Sequence, residues 1–467
     1  MTILCILALV AAACGSSGDD DSSASGDDAT TETNGGSVVV EGGGEPDQGL
    51  VEQLGLPECP VGAHLEAEGV VEIDFWHPYT TQTQEAMEDL AAGFNASQDK
   101  IVVNVEAQGS YTELLGKYRE SISFDDLPAV TVAETQAFRE MVDSATVLPA
   151  QSCVEAEQFD LSGVDEIARN TYSLDGALYP GAMFVSTPVL YYNRGDFEAA
   201  GLDPDAPPTT LEQVASAAQT IQDAGVSTTP LSFLMDGWYL DNWLTGAGVP
   251  LVNEDNGRAG SATEAVFDTP EALEVLTTLD EMNNAGLIVP FSATPGQVSH
   301  FLALATPGTA SMVIETSTAA TTIAGVLGGT SNLSELAAEA GVEVLGVTDL
   351  TIDIGVAPYP GLDAPGKVFA SGGAAYMTNT GSDAEQAAAW EFMKYVSQAE
   401  QQKIIHLKGS YLPIYPEVVD DPEVQSIWEN DAAGQWLAVA YGQLAGLEAT
   451  NLGPAVGPFT EQREIQD

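Results

Sequence analysis

The chain has 467 residues, with 70 acids against 12 bases and a net charge of −58. Nucleic acid needs clustered Lys and Arg on one face, and an anionic bilayer repels an acidic surface, so neither is expected as a partner of the folded part. The length exceeds one ordinary core and points to two lobes. The four His are scattered and no C-x-x-C occurs, so no metal and no cofactor is expected.

The first residues, MTILCILALVAAACGSSGDDD, read as a secretion signal. An apolar core from Ile3 to Val10 leads to Ala11-Ala12-Ala13-Cys14-Gly15. Small residues before a cysteine and Gly after it match a bacterial lipobox, with Cys14 as the lipidated terminus. The missing basic residues before the apolar core depart from that pattern. Residues 15–65 are mostly Gly, Ser, Asp, Glu and Thr, too poor in apolar surface to offset ordering entropy, and are expected to form a disordered acidic tether. Cys59 and Cys153 remain. Outside the cell they are expected to pair, the alternative being two buried thiols.

Beyond the tether the pattern is α/β. Val70–Trp76, Ile101–Ala107 and Ala129–Glu134 read as strands, each followed by a helical pattern: Gln84–Phe94, Tyr111–Ile122, and a helix from Thr135. Such alternation implies a mainly parallel sheet, with ligands beyond the carboxyl ends of its strands. His77, Gly109-Ser110-Tyr111 and Glu134 then share one rim. Val189–Tyr192 is another strand. Asn193 ends it, a short helix closes at Gly201, and Pro207-Pro208 precedes a helix capped by Thr210. Asp268-Thr269-Pro270-Glu271 starts a helix that runs to Asn284. Ser311–Glu315 is a short strand, with Thr316-Ser317 capping a helix through Leu327. Gly372–Thr378 is a strand, and helices dominate from Asp383 to Leu447.

No G-x-S-x-G elbow and no H-E-x-x-H occurs. Gly361–Lys367 matches a phosphate loop only as far as Lys367. Val368 stands where Ser or Thr is required, Pro365 lies inside, and no helix follows, so it reads as a turn. Acids are abundant enough to satisfy any glycosidase spacing, so a secreted hydrolase of glycosides or phosphodiesters stays as the rival class.

STPVLYYN from Ser186, DFEAAGLDP from Asp196 and the Pro-Pro turn resemble the extracellular solute-binding proteins (family 1) of ABC importers, in particular those for glycerol 3-phosphate and sugars. IDFWHPY, FNAS, GSY, LPAV, DEMNNAG, GGAAYM and KGSYLPI follow in the family's order. The resemblance implies a two-lobed periplasmic-binding-protein fold of type II with a cleft between lobes: 66–188 with 309–371, and 189–308 with 372–467. It implies no catalysis and a monomer that meets a permease and touches the membrane through its anchor alone. Ligand contacts implied by it are Tyr111, Glu134, Ser186, Thr316 (or Ser317), Gly373, Tyr411 and Arg463. The implied solute is glycerol 3-phosphate or a glycerophosphodiester, with a neutral mono- or oligosaccharide as the alternative. Leu211 departs from the family, which has an aromatic there against the ligand, and the chain stops soon after Arg463.

Overall fold

The computed structural model describes residues 49–124, 126–292, 303–304, 308–328 and 352–456. Cys14 and Arg463 lie outside them. Among the described residues, thirteen strands run in chain order: β1 Val71–His77, β2 Ile101–Ala107, β3 Val130–Glu134, β4 Val147–Leu148, β5 Ser173–Leu174, β6 Ala177–Leu178, β7 Ala182–Ser186, β8 Pro188–Asn193, β9 Leu231–Met235, β10 Ile288–Ser292, β11 Met312–Thr316, β12 Ile354–Pro358 and β13 Ser371–Thr378. Two sheets carry the fold. One is ordered β2-β1-β3-β13-β4, with β7 also on β13; the other is β10-β9-β11-β8-β12.

Each sheet starts from parallel pairs fed by crossover helices. β1 lies parallel to β2 and β3, and β9 parallel to β10 and β11. Crossover helices bury one stripe on the sheet. Thr81–Ser97 turns Ala86, Met87, Leu90, Ala91 and Phe94 inward, and Leu211–Asp223 does so with Leu211, Val214, Ala217, Ala218 and Ile221. Thr210 caps the second of these by accepting the Gln213 N–H, as its position before the apolar stripe predicts. Ser382 and Glu385 form a reciprocal capping box at the start of Asp383–Val396.

The chain passes from the first sheet to the second between Ser186 and Pro188, and returns between Pro358 and Ser371. Both links lie against Gln443. Its Nε2 donates to Thr187 Oγ1 (2.6 Å) and Pro188 O (2.7 Å), and its Oε1 accepts from Tyr359 N (3.0 Å). A buried amide with its partners met holds the two links in register. The corner after β8 is fixed likewise: Tyr192 Oη and Arg194 Nη1 both donate to Pro204 O, at 2.7 and 2.9 Å.

The strand pairing departs from the expected lobe limits at three strands. β11 and β12, expected with the first lobe, both pair with β8 in the second sheet, β11 also with β9. β13, expected with the second, pairs with β3, β4 and β7 in the first. Helix Asp383–Val396 packs on β1 and β13, whereas Ala432–Leu444 packs on β12. All three are largely apolar runs, and such runs carry no label for the sheet that will accept them.

Residues 50–65, expected within the tether, contribute to two short helices, Leu50–Leu54 and Ala63–Glu66. Tertiary contacts hold them. Cys59 is bonded to Cys153, their Cα atoms 4.9 Å apart, and Val51 N donates to Glu155 on the same helix as Cys153.

The lobes touch on more than one side. Arg258, in the second lobe, donates to the carbonyls of Asn170, Thr171 and Ser173 of the first. Arg139 of the first donates to Gly257 O (3.1 Å) and Ser261 Oγ (3.1 Å). Thr321 N donates to Ser410 Oγ at 3.0 Å, and Thr81 Oγ1 lies 3.4 Å from Thr322 Oγ1.

The disulfide closes a sequence separation of 94, which in the chain-entropy model contributes about 4.7 kcal/mol. Reduction should lower the midpoint of urea unfolding correspondingly. Intact mass after alkylation under denaturing, non-reducing conditions checks the bond: two modified thiols would exclude it.

Candidate functional site

The site forms where strand ends of the first sheet meet the links to the second. Gly109 adopts φ +84° and turns the chain after β2; Ser110 then accepts from Glu113 N and starts helix Tyr111–Ile122. This puts Tyr111 at the helix amino end, over the sheet rim. Tyr411 arrives from the other direction. Leu412 N donates to Val185 O (2.7 Å), and the Tyr411 carbonyl meets His406 Nδ1 at 2.7 Å. Trp428 Nε1 donates to His406 Nε2 at 2.8 Å, so Nδ1 carries the proton and donates to Tyr411. Burial pulls the His406 pKa down to about 4, and the ring stays neutral in this relay.

The hydroxyls of Tyr111 and Tyr411 lie 3.3 Å apart, and Tyr111 Oη donates to Tyr79 Oη at 3.4 Å. Gly373 lies beneath them. A Cβ there would come within 2.5 Å of the Tyr111 hydroxyl and 2.6 Å of the Tyr79 hydroxyl. Any side chain at 373 would push the phenols away, so glycine is required at this close approach. Gly373 pairs across the sheet with Glu134, the last residue of β3. Two residues back, Ser371 pairs with Ser186, and Ser371 Oγ donates to Ser186 O at 3.2 Å. Trp238 Nε1 donates in turn to Ser371 Oγ at 2.9 Å, bringing an indole from the second lobe to the same point.

Five of the expected contacts therefore come together: Tyr111, Tyr411 and Gly373 directly, Glu134 and Ser186 through strand register. Thr316 lies at the neighbouring link. It pairs with Pro188 at the end of β11, and its Oγ1 accepts from Thr318 N (3.3 Å) as a cap. Ser317 stands beside it, with Ser317 N donating to Thr187 O at 2.9 Å. Leu211 is only 1 % exposed and packs inside the second lobe's core, away from the tyrosines. The tryptophan that reaches the link is Trp238, at the start of helix Gly237–Gly246 and fixed by Asp236 accepting its N–H at 3.0 Å.

The electrostatics favour neutral donors beside an acid. Burial raises the Tyr411 pKa to about 12 and those of Tyr79 and Tyr111 well above the ordinary phenol value. All three stay protonated at neutral pH and can donate. His77, at the end of β1, is lowered to about 4 by burial, against the opposing charge of Glu88. Glu315, next to Thr316, is raised to about 7 by burial, although the Thr316 N–H bonds its Oε1 at 2.7 Å.

Tyr79 and Trp238 were not among the expected contacts. A signal for each exists in the sequence: Tyr79 ends the HPY turn after β1, and Trp238 follows an Asp-Gly helix start. Neither signal says which wall the ring faces. A separate cavity of about 760 Å³ lies by Pro358, Gly366, Lys367, Gly442 and Gly446. The Gly361–Lys367 loop borders it as a turn, with Gly366 at φ +68° donating to Tyr359 O.

Residues 89–432 match the family model of the bacterial extracellular solute-binding proteins. The sn-glycerol-3-phosphate-binding periplasmic protein UgpB of Escherichia coli (strain K12) is 26 % identical over 373 residues, covering 78 % of this chain and 79 % of that protein. Among solved structures, UgpB from Mycobacterium tuberculosis in complex with glycerophosphocholine superposes with a TM-score of 0.63 at 18 % identity, over 82 % of this chain and 87 % of that one. Maltose-bound MalE3 of T. maritima gives 0.64 at 18 %, over 85 % and 93 %. With the two sheets, the links between them and the rim of hydroxyls, these matches place the chain among the bacterial extracellular solute-binding proteins, the binding components of ABC importers, with the two-lobed type II fold.

Proposed function

We propose that this protein binds glycerol 3-phosphate or a glycerophosphodiester outside the membrane and hands it to an ABC permease, without chemical change. The observation that carries the reading is the convergence of the Tyr111, Tyr411 and Tyr79 hydroxyls over Gly373, beside Glu134. Protonated phenols donate to phosphoryl oxygens, and a carboxylate accepts from glycerol hydroxyls. Ser186, and Thr316 or Ser317 at the link, add hydroxyls, and Arg463 supplies the charge that pairs with phosphate. The name of the E. coli relative supports the same ligand class.

One observation favours a neutral saccharide as second reading. The charged neighbour of the phenols across the sheet is an acid, Glu134, which suits sugar hydroxyls and opposes a dianion.

The solute would act by favouring the closed arrangement through contacts to both lobes, adding to the bridges that Arg258, Arg139 and Thr321 make elsewhere between them. Cys14 would carry the lipid that keeps the protein at the membrane, with the acidic residues after it as spacer; the support for this is the sequence around Cys14 alone.

Calorimetry over sn-glycerol 3-phosphate, glycerophosphocholine and maltose tests the ligand. Arg463→Ala should weaken phosphate-ligand binding by about 1.5–3 kcal/mol, the scale of a charged hydrogen bond, and leave a neutral sugar unaffected. Tight maltose binding that ignores Arg463 would replace the first reading with the second. Steady product release from a phosphodiester or glycoside would overturn both. In small-angle scattering, saturating ligand should reduce the radius of gyration, and an unchanged radius would count against closure. Cys14→Ala should move the protein from the membrane fraction to the medium; a variant that stays bound would refute the anchor.

A further inference from the structure

We infer that Tyr79 is a specificity-determining contact: a third phenol that, with Tyr111 and Tyr411, grips one oxygen-rich group of the solute. The inference rests on the reading above that the solute sits over Gly373.

The ring of Tyr79 is held from all sides by local chemistry. β1 ends at His77, Pro78 fixes the turn, and Tyr79 N donates to His77 Nδ1 at 3.1 Å. The two rings then stack, centroids 5.6 Å apart and planes 20° apart. Tyr111, Tyr411 and Phe184 meet the Tyr79 ring edge to face, at 6.0, 5.6 and 6.1 Å. A ring so enclosed keeps one orientation and presents only its hydroxyl as a polar group. Tyr79 is 7 % exposed, and two residues on, Thr81 faces Thr322 of the second lobe. The turn therefore lies where the lobes close.

The Tyr79 and Tyr411 hydroxyls interact with each other, and Tyr111 meets both of them in two further contacts. Both Tyr111 contacts, at 3.4 and 3.3 Å, exceed the 2.5–3.0 Å usual for O–H···O bonds. The phenols are weak partners for each other and gain by turning to a ligand oxygen. Burial keeps them protonated, so the cluster is a set of donors rather than a base. The complementary group has several acceptor lone pairs close together: a phosphoryl group, or adjacent hydroxyl and ring oxygens of a sugar. Gly373, lacking a side chain, lets the Tyr111 and Tyr79 hydroxyls close over its backbone, so that a group reaching the cluster meets more than one phenol at once.

The test is calorimetry of the full chain and of Tyr79→Phe with sn-glycerol 3-phosphate, glycerophosphocholine and maltose as separate probes. Phe keeps the stack on His77 and removes one hydroxyl, so thermal unfolding without ligand should stay within about 2 °C of wild type. Affinity for whichever probe the wild type binds should fall about 3- to 10-fold, the scale of one hydrogen bond. The probe identifies whether the group gripped is phosphoryl or saccharide. Tyr79→Phe and Tyr111→Phe together should lose less than the product of their separate losses, because they share one group. Unchanged affinity of Tyr79→Phe for every probe the wild type binds overturns the inference and leaves the cleft reading standing. No binding by wild type to any of the three overturns the cleft reading and this inference with it.

Discussion

The site depends on a close approach at one backbone position. Gly373 lies on β13, the strand that returns from the second sheet and enters the first against β3, β4 and β7. Its missing side chain leaves room for two phenol hydroxyls, and its register sets Glu134 on one side while Ser371 meets Ser186 on the other. Neighbouring groups pin it. Tyr172 Oη donates to Gly373 O at 3.3 Å, and Thr135 Oγ1 donates to Gly372 O at 3.0 Å. A one-residue slip of β13 would turn every side chain of the strand to the opposite face and dismantle the rim. Sheet pairing therefore does double work as support and as ligand geometry.

The contacts between lobes have a chemistry of their own. In a chain with 12 bases, Arg139 and Arg258 direct donors at carbonyls and a hydroxyl across the lobe boundary. Burial lowers the Arg258 pKa to about 10, which still leaves it charged at neutral pH. Bonds of a guanidinium to carbonyls are directional and modest, and can be exchanged for water when lobes separate. Thr321, Thr322 and Ser410 add neutral bonds of the same kind on the side of Tyr411. An interface of this type is suited to a closure whose balance a solute can shift, because no single contact dominates it.

The rim is made of phenols, hydroxyls, an indole and backbone, with Glu134 as its acid. A net charge of −58 is a surface property that favours solubility and separation from other anions. For the proposed phosphate ligand it would pose an electrostatic problem, to be overcome by local donors within a screening length of about 10 Å.

Sequence alone determined the local elements. Strand Ile101–Ala107, helix Tyr111–Ile122 and the helix from Pro270 to Asn284 have the bounds that periodicity and caps imply, because caps and amphipathic spacing act within a few residues. Tyr111 and Glu134 were legible as a turn and a strand end near one rim, and the family resemblance added Ser186, Gly373 and Tyr411. Tertiary structure decided the rest. β11 and β12 joined the second sheet and β13 the first, each the opposite of the lobe expected, since the choice of partner strand depends on the paths of both links. Leu211 entered a core and Trp238 took the place at the link, because the direction of a ring follows from helix packing that no local pattern encodes. Residues 50–66 gained helices from a disulfide and a carboxylate about a hundred residues away, a constraint invisible in their own composition. Tyr79 joined the tyrosines because three separate loops end at one point, and only the assembled sheet brings those ends together.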